Sequence, residues 1–328
     1  MDAETKRAKT EMRRTIASLC LLSFALYGCA RQPMNEAAPR TGDDFLGHWD
    51  MTVQGTDATY PSWFEVTRQD GDLVGRFVGR VGSARPIETL RVDGDQLTFS
   101  LPIQYEANSE DLRFEGRLTD GRIQGTTNGE DGSTLTWTAV PAPALERTGP
   151  PEWGEPIELT AGNIGDHWHA RYPNEADHWS LSGGVLASSE TGTDLVTNAT
   201  FEDFKLHLEF QYPKDSNSGV YLRGRYEIQI QDDYGKQPTN VLLGGVYGFL
   251  TPSVAAGKPA GEWQTYDVTL IGRRITVALN DQIIIDDEEI PGITGGALDS
   301  DEGAPGPLML QGDHGPISFR NIVVTPAR

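Results

Sequence analysis

At 328 residues, with a formal net charge of −21, the chain is long enough to bury a sizeable core and too acidic to suit nucleic acid or an anionic membrane surface as a partner. Thirty-seven glycines and twenty prolines, set among few helical periodicities, point to an all-β protein with many turns. The cysteine count is two, which excludes a disulfide scaffold.

The first residues read as an address. Met12-Arg13-Arg14 forms a basic start, Thr15–Leu26 an apolar run too short to span a bilayer, and Leu26-Tyr27-Gly28-Cys29 resembles a bacterial lipobox. Lipidation at Cys29 would tether the mature protein to a membrane as an exported cell-envelope lipoprotein, on the periplasmic or outer-membrane face. Residues 1–29 are thus assigned to the signal peptide and lipobox, and 30–42 to a short tether. Cys20 lies inside the removed segment, so the mature chain carries no thiol for catalysis or metal binding.

Residues 43–141 are read as a small antiparallel β-barrel domain. Strands are expected at His48–Val53, Ser62–Arg68, Leu73–Val81, Glu88–Val92, Gln96–Leu101, Leu112–Leu118, Arg122–Thr127 and Thr134–Val140. Asp70-Gly71, Asp93-Gly94, Asp120-Gly121 and Asp131-Gly132 punctuate them, and Asp-Gly is a strong hairpin signal because primed turns need positive φ. Nothing in this region reads as catalytic. A proline-rich linker follows at 142–154.

Residues 155–328 form a second expected domain of about a dozen strands, including Trp179–Leu186, Asp194–Thr197, Phe204–Tyr212, Val241–Leu250, Trp263–Ile271, Leu308–Gln311 and Ile317–Thr325. One apolar and one polar face per strand imply two stacked antiparallel sheets, a jelly-roll sandwich. At its centre is Asp215–Tyr234. From Val220 to Gln231 it alternates without a break, Val220, Leu222, Tyr226, Ile228 and Ile230 on one face, Tyr221, Arg223, Arg225, Glu227, Gln229 and Gln231 on the other. The polar face has planar donors and acceptors and no Lys, a set suited to sugar hydroxyls or an enolate oxygen.

Several segments of this second region, in order, resemble the 3-keto-disaccharide hydrolase family: Gly192–Thr197, Phe201–Phe210, Ser216–Tyr234, Gly261–Val268 and Gly295–Val323. The first region also resembles the barrel that precedes this domain in some members. The resemblance implies a concanavalin A-like jelly roll acting on sugars already oxidised at carbon 3, so that the expected partner is a 3-keto-disaccharide or 3-keto-glycoside.

The chemistry follows from the ketone. It acidifies the C2 proton, a base removes it, the enolate expels the C1 oxygen, and water adds to the enone. Such a site needs a base, a proton donor for the leaving oxygen, and positive charge or dipoles around the enolate. His314, Glu227 and Glu209 are candidates for base and acid, Arg223 and Arg225 for the oxyanion. Glu209, Asn217, Ser218, Tyr221, Gln229, Asp232 and Gln311 are candidates for binding hydroxyls, and Tyr247 and Trp263 for stacking on a sugar face. An Arg225–Glu227 ion pair, a loop role for His314 and a core role for Trp263 are the plainer readings of the same residues. No cofactor is required, although a divalent cation could assist the enolate.

Three patterns weigh on the alternatives. Glucanases of this fold use Glu-hydrophobic-Asp-x-x-Glu; read from Glu227, the middle acid position is Gln229 and the last falls on Asp232, so the set lacks its middle carboxylate, which disfavours paired-carboxylate hydrolysis. His167-Trp168-His169, near Asp166 and His178, is either a zinc pair or a packed lip. Asp299-Ser300-Asp301-Glu302 is either a calcium loop or a solvated one. The rival to an enzyme is a non-catalytic, lectin-like surface lipoprotein.

Overall fold

Period-2 alternation and turn chemistry set almost every element. A computed structural model describes residues 42–328, which belong to one compact unit. The signal segment, Cys29 and residues 30–41 lie outside the described part. Among the described residues no helix is long and apolar enough to cross a membrane.

Nine strands from Gly47–Gln54 to Thr134–Pro141 form one antiparallel sheet in which chain neighbours pair, except Arg85–Pro86 and Thr89–Asp93 at its two edges, and the first strand also pairs with the last. The sheet curls until its two edges meet. Between them, Ile87 N donates to Gly75 O (2.9 Å) and Glu88 N to Ser100 O (3.1 Å), closing a small barrel. At Asp70-Gly71 and Asp120-Gly121 both residues have positive φ, the primed-turn geometry; at Asp93-Gly94 and Asp131-Gly132 only the glycine does. Inside lie Phe64, Phe77, Phe99, Phe114 and Trp137, with Phe99 and Phe114 stacked at 4.5 Å. Gly116 and Gly125 sit where the Trp137 ring leaves no room for a Cβ, which explains glycine in mid-strand.

Residues 157–326 build two further antiparallel sheets of eight and five strands. Leu206, Leu208 and Phe210 of the larger sheet and Val220, Leu222, Tyr226, Ile228 and Ile230 of the smaller belong to one buried cluster, so the two sheets face each other as a jelly-roll sandwich. The Tyr266 hydroxyl donates across the layer to Gln229 O (2.7 Å). The segment Val241–Leu250 departs from expectation. It is a turn-rich loop with only Val246 bridging Ile228 and Leu250, because positive φ at Gly244 and Gly248 breaks any strand. A short strand at Trp168–Ala170, paired with Leu195–Thr197, is an addition.

The barrel and the sandwich share packing. Trp63 and Val78, on barrel strands, are fully buried in the sandwich cluster, and Trp63 meets Phe249 edge-on at 5.3 Å. Gly292 lies flush against the Trp63 indole. The Gly296 N–H donates to Arg80 O (3.0 Å), and the Thr52 and Ser300 hydroxyls are 3.0 Å apart.

Candidate active site on the five-stranded sheet

The central segment is a hairpin of Asn217–Leu222 and Tyr226–Gln231, with Gly219 opposite Gln229 and Tyr221 opposite Glu227. Its neighbours are Met309–Leu310, then Leu195–Thr197, then Trp168–Ala170. Register carries one face across all of them. Val196, Met309, Tyr221 and Glu227 lie in one row. In the next, Asp194 holds the backbone N–H of Gly312, while Gln311 N donates to Gly219 O beside Gln229. The other face is the sandwich core. Alternation thus separates an apolar side that packs from a polar side with Glu227 near its middle.

Glu227 is almost wholly buried there. Gly219, directly across from Gln229, makes the space: a Cβ at that position would overlap the Glu227 carboxylate. Burial pushes the Glu227 carboxyl up to about 8; the Tyr221 hydrogen bond and the His314 charge act against this, and Asp313 and Asp194 act with it. The Tyr221 hydroxyl is 3.0 Å from Glu227 Oε2 and 2.9 Å from Gly295 O. Burial, then the Glu227 charge, hold that phenol well above its ordinary range. His314 is half exposed and shares a short hydrogen bond with Asp313, which raises the imidazole above its usual value, with Glu227 and Asp194 adding in the same direction. Asp194 is itself raised by burial, and it accepts from Arg171 Nη1 (2.9 Å) and Gly312 N (2.9 Å). The amide oxygens of Gln229 and Gln311 are buried with no hydrogen-bond partner among the described residues, which is uncommon for groups that cost so much to desolvate.

Other predicted residues are placed elsewhere. Arg223 and Arg225 occupy the hairpin turn, Arg223 with φ 50°, and their guanidinium groups are committed to other partners. Arg223 donates to the Tyr226 hydroxyl (3.0 Å) and Gly272 O (2.8 Å), Arg225 to Asp299 Oδ1 (2.7 Å) and Ala304 O (2.8 Å). The plainer reading of an Arg225–Glu227 ion pair therefore does not hold, and the two arginines do not converge on Glu227 as oxyanion cations. Ser218 belongs to the opposite parity and spends its hydroxyl on Gln311 O (2.8 Å). Asp232 accepts from Asp215 N (2.9 Å) and fastens the open end of the hairpin. Glu209 lies on the outer face of the eight-stranded sheet, clasped by Arg320 at 2.8 Å and by Asn321. Trp263 stacks under the same Arg320, 4.0 Å from ring centroid to guanidinium carbon, so neither joins the Glu227 row. Asn217 and Tyr247 stay with the site, Asn217 opposite Gln231 at the hairpin's open end, Tyr247 N donating to Glu227 O (3.0 Å).

The metal readings resolve into ordinary contacts. His169 bonds Asn198 (2.9 Å), and Trp168 is buried with its indole N–H on Leu159 O (2.8 Å). Asp299 pairs with Arg225, Glu302 is fully buried with Arg273 and Tyr226, and Asp301 is exposed, so the acidic loop is partly solvated and its acids are not gathered into a cage. Among the described residues no group of three or more His, Cys, Asp or Glu is arranged to hold a metal ion.

Arg171, Asp194 and Asp313 were not singled out from sequence. An acid in the otherwise apolar Asp194–Thr197 stretch, and an acid next to His314 between glycines, are the signals that could have found two of them.

The arrangement is that of an all-β sandwich whose smaller sheet carries a polar, largely buried face around Glu227. The sequence model of the 3-keto-alpha-glucoside-1,2-lyase-like domain matches residues 155–325, and the chain belongs to this family. That membership gives it a carbohydrate-acting, glycosidase-like role. No curated protein matches the chain. Two solved structures from Parabacteroides distasonis, described as candidate glycosyl hydrolases, are similar. One is 27% identical (55% of this chain, 92% of that one, TM-score 0.44), the other 26% identical (52% and 98%, TM-score 0.41). A non-specific endo-beta-1,3(4)-glucanase of family GH16 is 12% identical, covering 56% of this chain and 96% of its own, with a TM-score of 0.36.

Proposed function

We propose that the chain cleaves 3-keto-glycosides at the polar face of its five-stranded sheet, by elimination followed by hydration. The observation that carries this reading is the buried Glu227, raised to about 8 and hydrogen-bonded to Tyr221, in the same electrostatic cluster as the His314–Asp313 pair. A base whose pKa lies close to neutrality is well matched to taking a carbon-bound proton acidified by a neighbouring ketone. In this reading Glu227 takes the C2 proton. The C1–O bond breaks as the enolate collapses to the enone, and the leaving oxygen takes its proton from the His314 imidazolium. Water then adds to the enone. The Tyr221 hydroxyl is the hydrogen-bond donor nearest the developing charge, in place of Arg223 and Arg225. The unpartnered amide oxygens of Gln229 and Gln311 would accept ring hydroxyls.

Export as a lipid-anchored protein through Cys29 belongs to the same proposal and rests on the lipobox-like sequence alone. The test is product analysis with the purified full chain, given 3-keto-trehalose or unmodified trehalose, with and without chelator. Release of sugar from the keto substrate alone is expected. Cleavage of unmodified trehalose would sink the elimination mechanism, and binding without any cleavage would favour the lectin-like alternative.

A further inference from the structure

The barrel reaches the surroundings of Glu227 by two separate routes. On one side, the Tyr221 hydroxyl that touches Glu227 also lies 2.9 Å from Gly295 O, and Gly295 abuts Gly82 so closely that a Cβ there would overlap the Gly82 carbonyl. Gly82 in turn lies against the side chains of Gln104 and Tyr105. On the other side, Tyr247 N bonds Glu227 O, Gly248 abuts Ser83 and Ala84, and Tyr247 faces Tyr105. Both routes end on one aromatic ring.

Tyr105 is 66% exposed, and Ile103 and Val81, on the same two barrel loops, are 43% and 41% exposed. Exposed tyrosines are commonly mobile, but this one stands on a built loop. Arg85 holds Glu106 Oε1 at 2.7 Å with both side chains largely buried, and Glu106 Oε2 accepts from Gln104 N (2.7 Å) and Tyr105 N (3.2 Å). Gln104 also accepts from Ser83 N (3.2 Å) and Arg85 Nη1 (2.9 Å). A largely buried ion pair and four hydrogen bonds thus present a large aromatic ring to solvent beside the segments that pack against the Glu227 strand, an arrangement of the kind that marks a binding surface.

We propose that Tyr105, flanked by Ile103 and backed by Tyr247, is the subsite for the leaving group, with the apolar face of the second sugar ring stacked on the Tyr105 ring. This rests on the reading of Glu227 as the reactive centre. It gives the first domain a direct part in substrate choice. A pyranose presents axial C–H groups on one face, and an aromatic ring is the surface that matches them. A small leaving group would not reach Tyr105 and would be indifferent to it.

The test compares wild type with Tyr105→Ala in the full chain on 3-keto-trehalose and on methyl 3-keto-α-glucoside. A tenfold or greater fall in kcat/KM is expected on the disaccharide, mostly through KM, with the methyl glycoside within twofold. Equal effects on both substrates, or none on either, would overturn the subsite. A second measurement needs no turnover: saturation-transfer NMR with unmodified trehalose. Signal is expected with wild type and with Glu227→Gln, and loss of it with Tyr105→Ala. Undiminished signal with Tyr105→Ala overturns the subsite even if the keto-sugar reading stands. Loss of signal without cleavage of any keto-sugar keeps the subsite and sinks that reading. Because Tyr105 is exposed, its replacement should leave the melting temperature within about one degree, which separates recognition from folding.

Discussion

The Tyr221 hydroxyl lies 3.0 Å from Glu227 Oε2 and 2.9 Å from the carbonyl oxygen of Gly295, and it has one proton to give. When Glu227 is ionised the proton belongs on the carboxylate; when Glu227 is neutral it is free to turn to Gly295. The protonation state of the buried acid is therefore coupled to the loop that covers it. Tyr221→Phe removes the strongest contribution that lowers the Glu227 pKa, so that pKa rises and the acid limb of the kcat/KM profile moves to higher pH. A pH–rate profile checks it; an unmoved acid limb would show that Glu227 does not titrate in the reaction.

Glu227→Gln keeps the shape of the side chain and removes the base. Turnover should fall by about a thousandfold, within the usual range for a general base, with trehalose binding retained. Steady-state kinetics and a binding titration on the same preparation decide it.

Asp313→Asn should shift the whole pH profile towards acid. Asp313 raises both His314, chiefly through its hydrogen bond, and Glu227, through its charge. Its neutralisation lowers both groups, so the acid and alkaline limbs move down together. A shift of one limb alone would argue that only one of the two groups takes part.

Gly219→Ala tests the space made for the carboxylate. The added methyl overlaps the Glu227 carboxylate, which is almost wholly buried and held by Tyr221. A loss of at least about tenfold in kcat is expected, with a melting temperature lowered by a few degrees, as for modest core overpacking. In contrast Glu209→Gln and Trp263→Phe, on the other sheet's outer face, should stay within twofold of wild type.

Asp50, on the first barrel strand, gives a stability prediction. Burial, then the charge and hydrogen bond of Glu302, push its carboxyl up to about 9, and Arg273 and Arg225 only partly offset this. A folded pKa above the unfolded value means that the folded chain keeps a proton the unfolded chain releases. This contribution is fully present below about pH 4 and is lost as pH rises through about 9, at up to about 1.4 kcal/mol per pH unit. Asp50→Asn should flatten that slope in urea unfolding followed across pH.

Much of the fold was legible because its signals are local. Asp-Gly turns and alternating runs mark strands whatever they pair with. The partition of Tyr221, Glu227 and Gln229 onto one face was also legible, and for a specific reason. Leu222 pairs with Tyr226 across a three-residue turn, so cross-strand partners have the same parity as they would in one unbroken strand. The parity argument fails only inside the turn, and Arg223 and Arg225 are the residues it misplaced. Glu209 was misplaced for a different reason: alternation reports which side of its own sheet a residue faces, not which sheet carries the groove. Arg171, Asp194 and Tyr105 come from strands and loops distant in sequence, and only the sheet order brings them to Glu227.

Trp63 changes how the molecule should respond to force and heat. Its indole lies in the sandwich's core while its backbone is hydrogen-bonded into the barrel, between Asp50 and Val78. Pulling the barrel away would extract a tryptophan from a filled hydrophobic layer and leave a void the size of its ring, a loss of about 3–5 kcal/mol by analogy with Trp truncations. Barrel and sandwich should therefore melt together in one cooperative transition. The loop that carries Tyr105 is then held at a fixed spacing from Glu227, and under the proposed subsite that spacing would act as a ruler for the substrate.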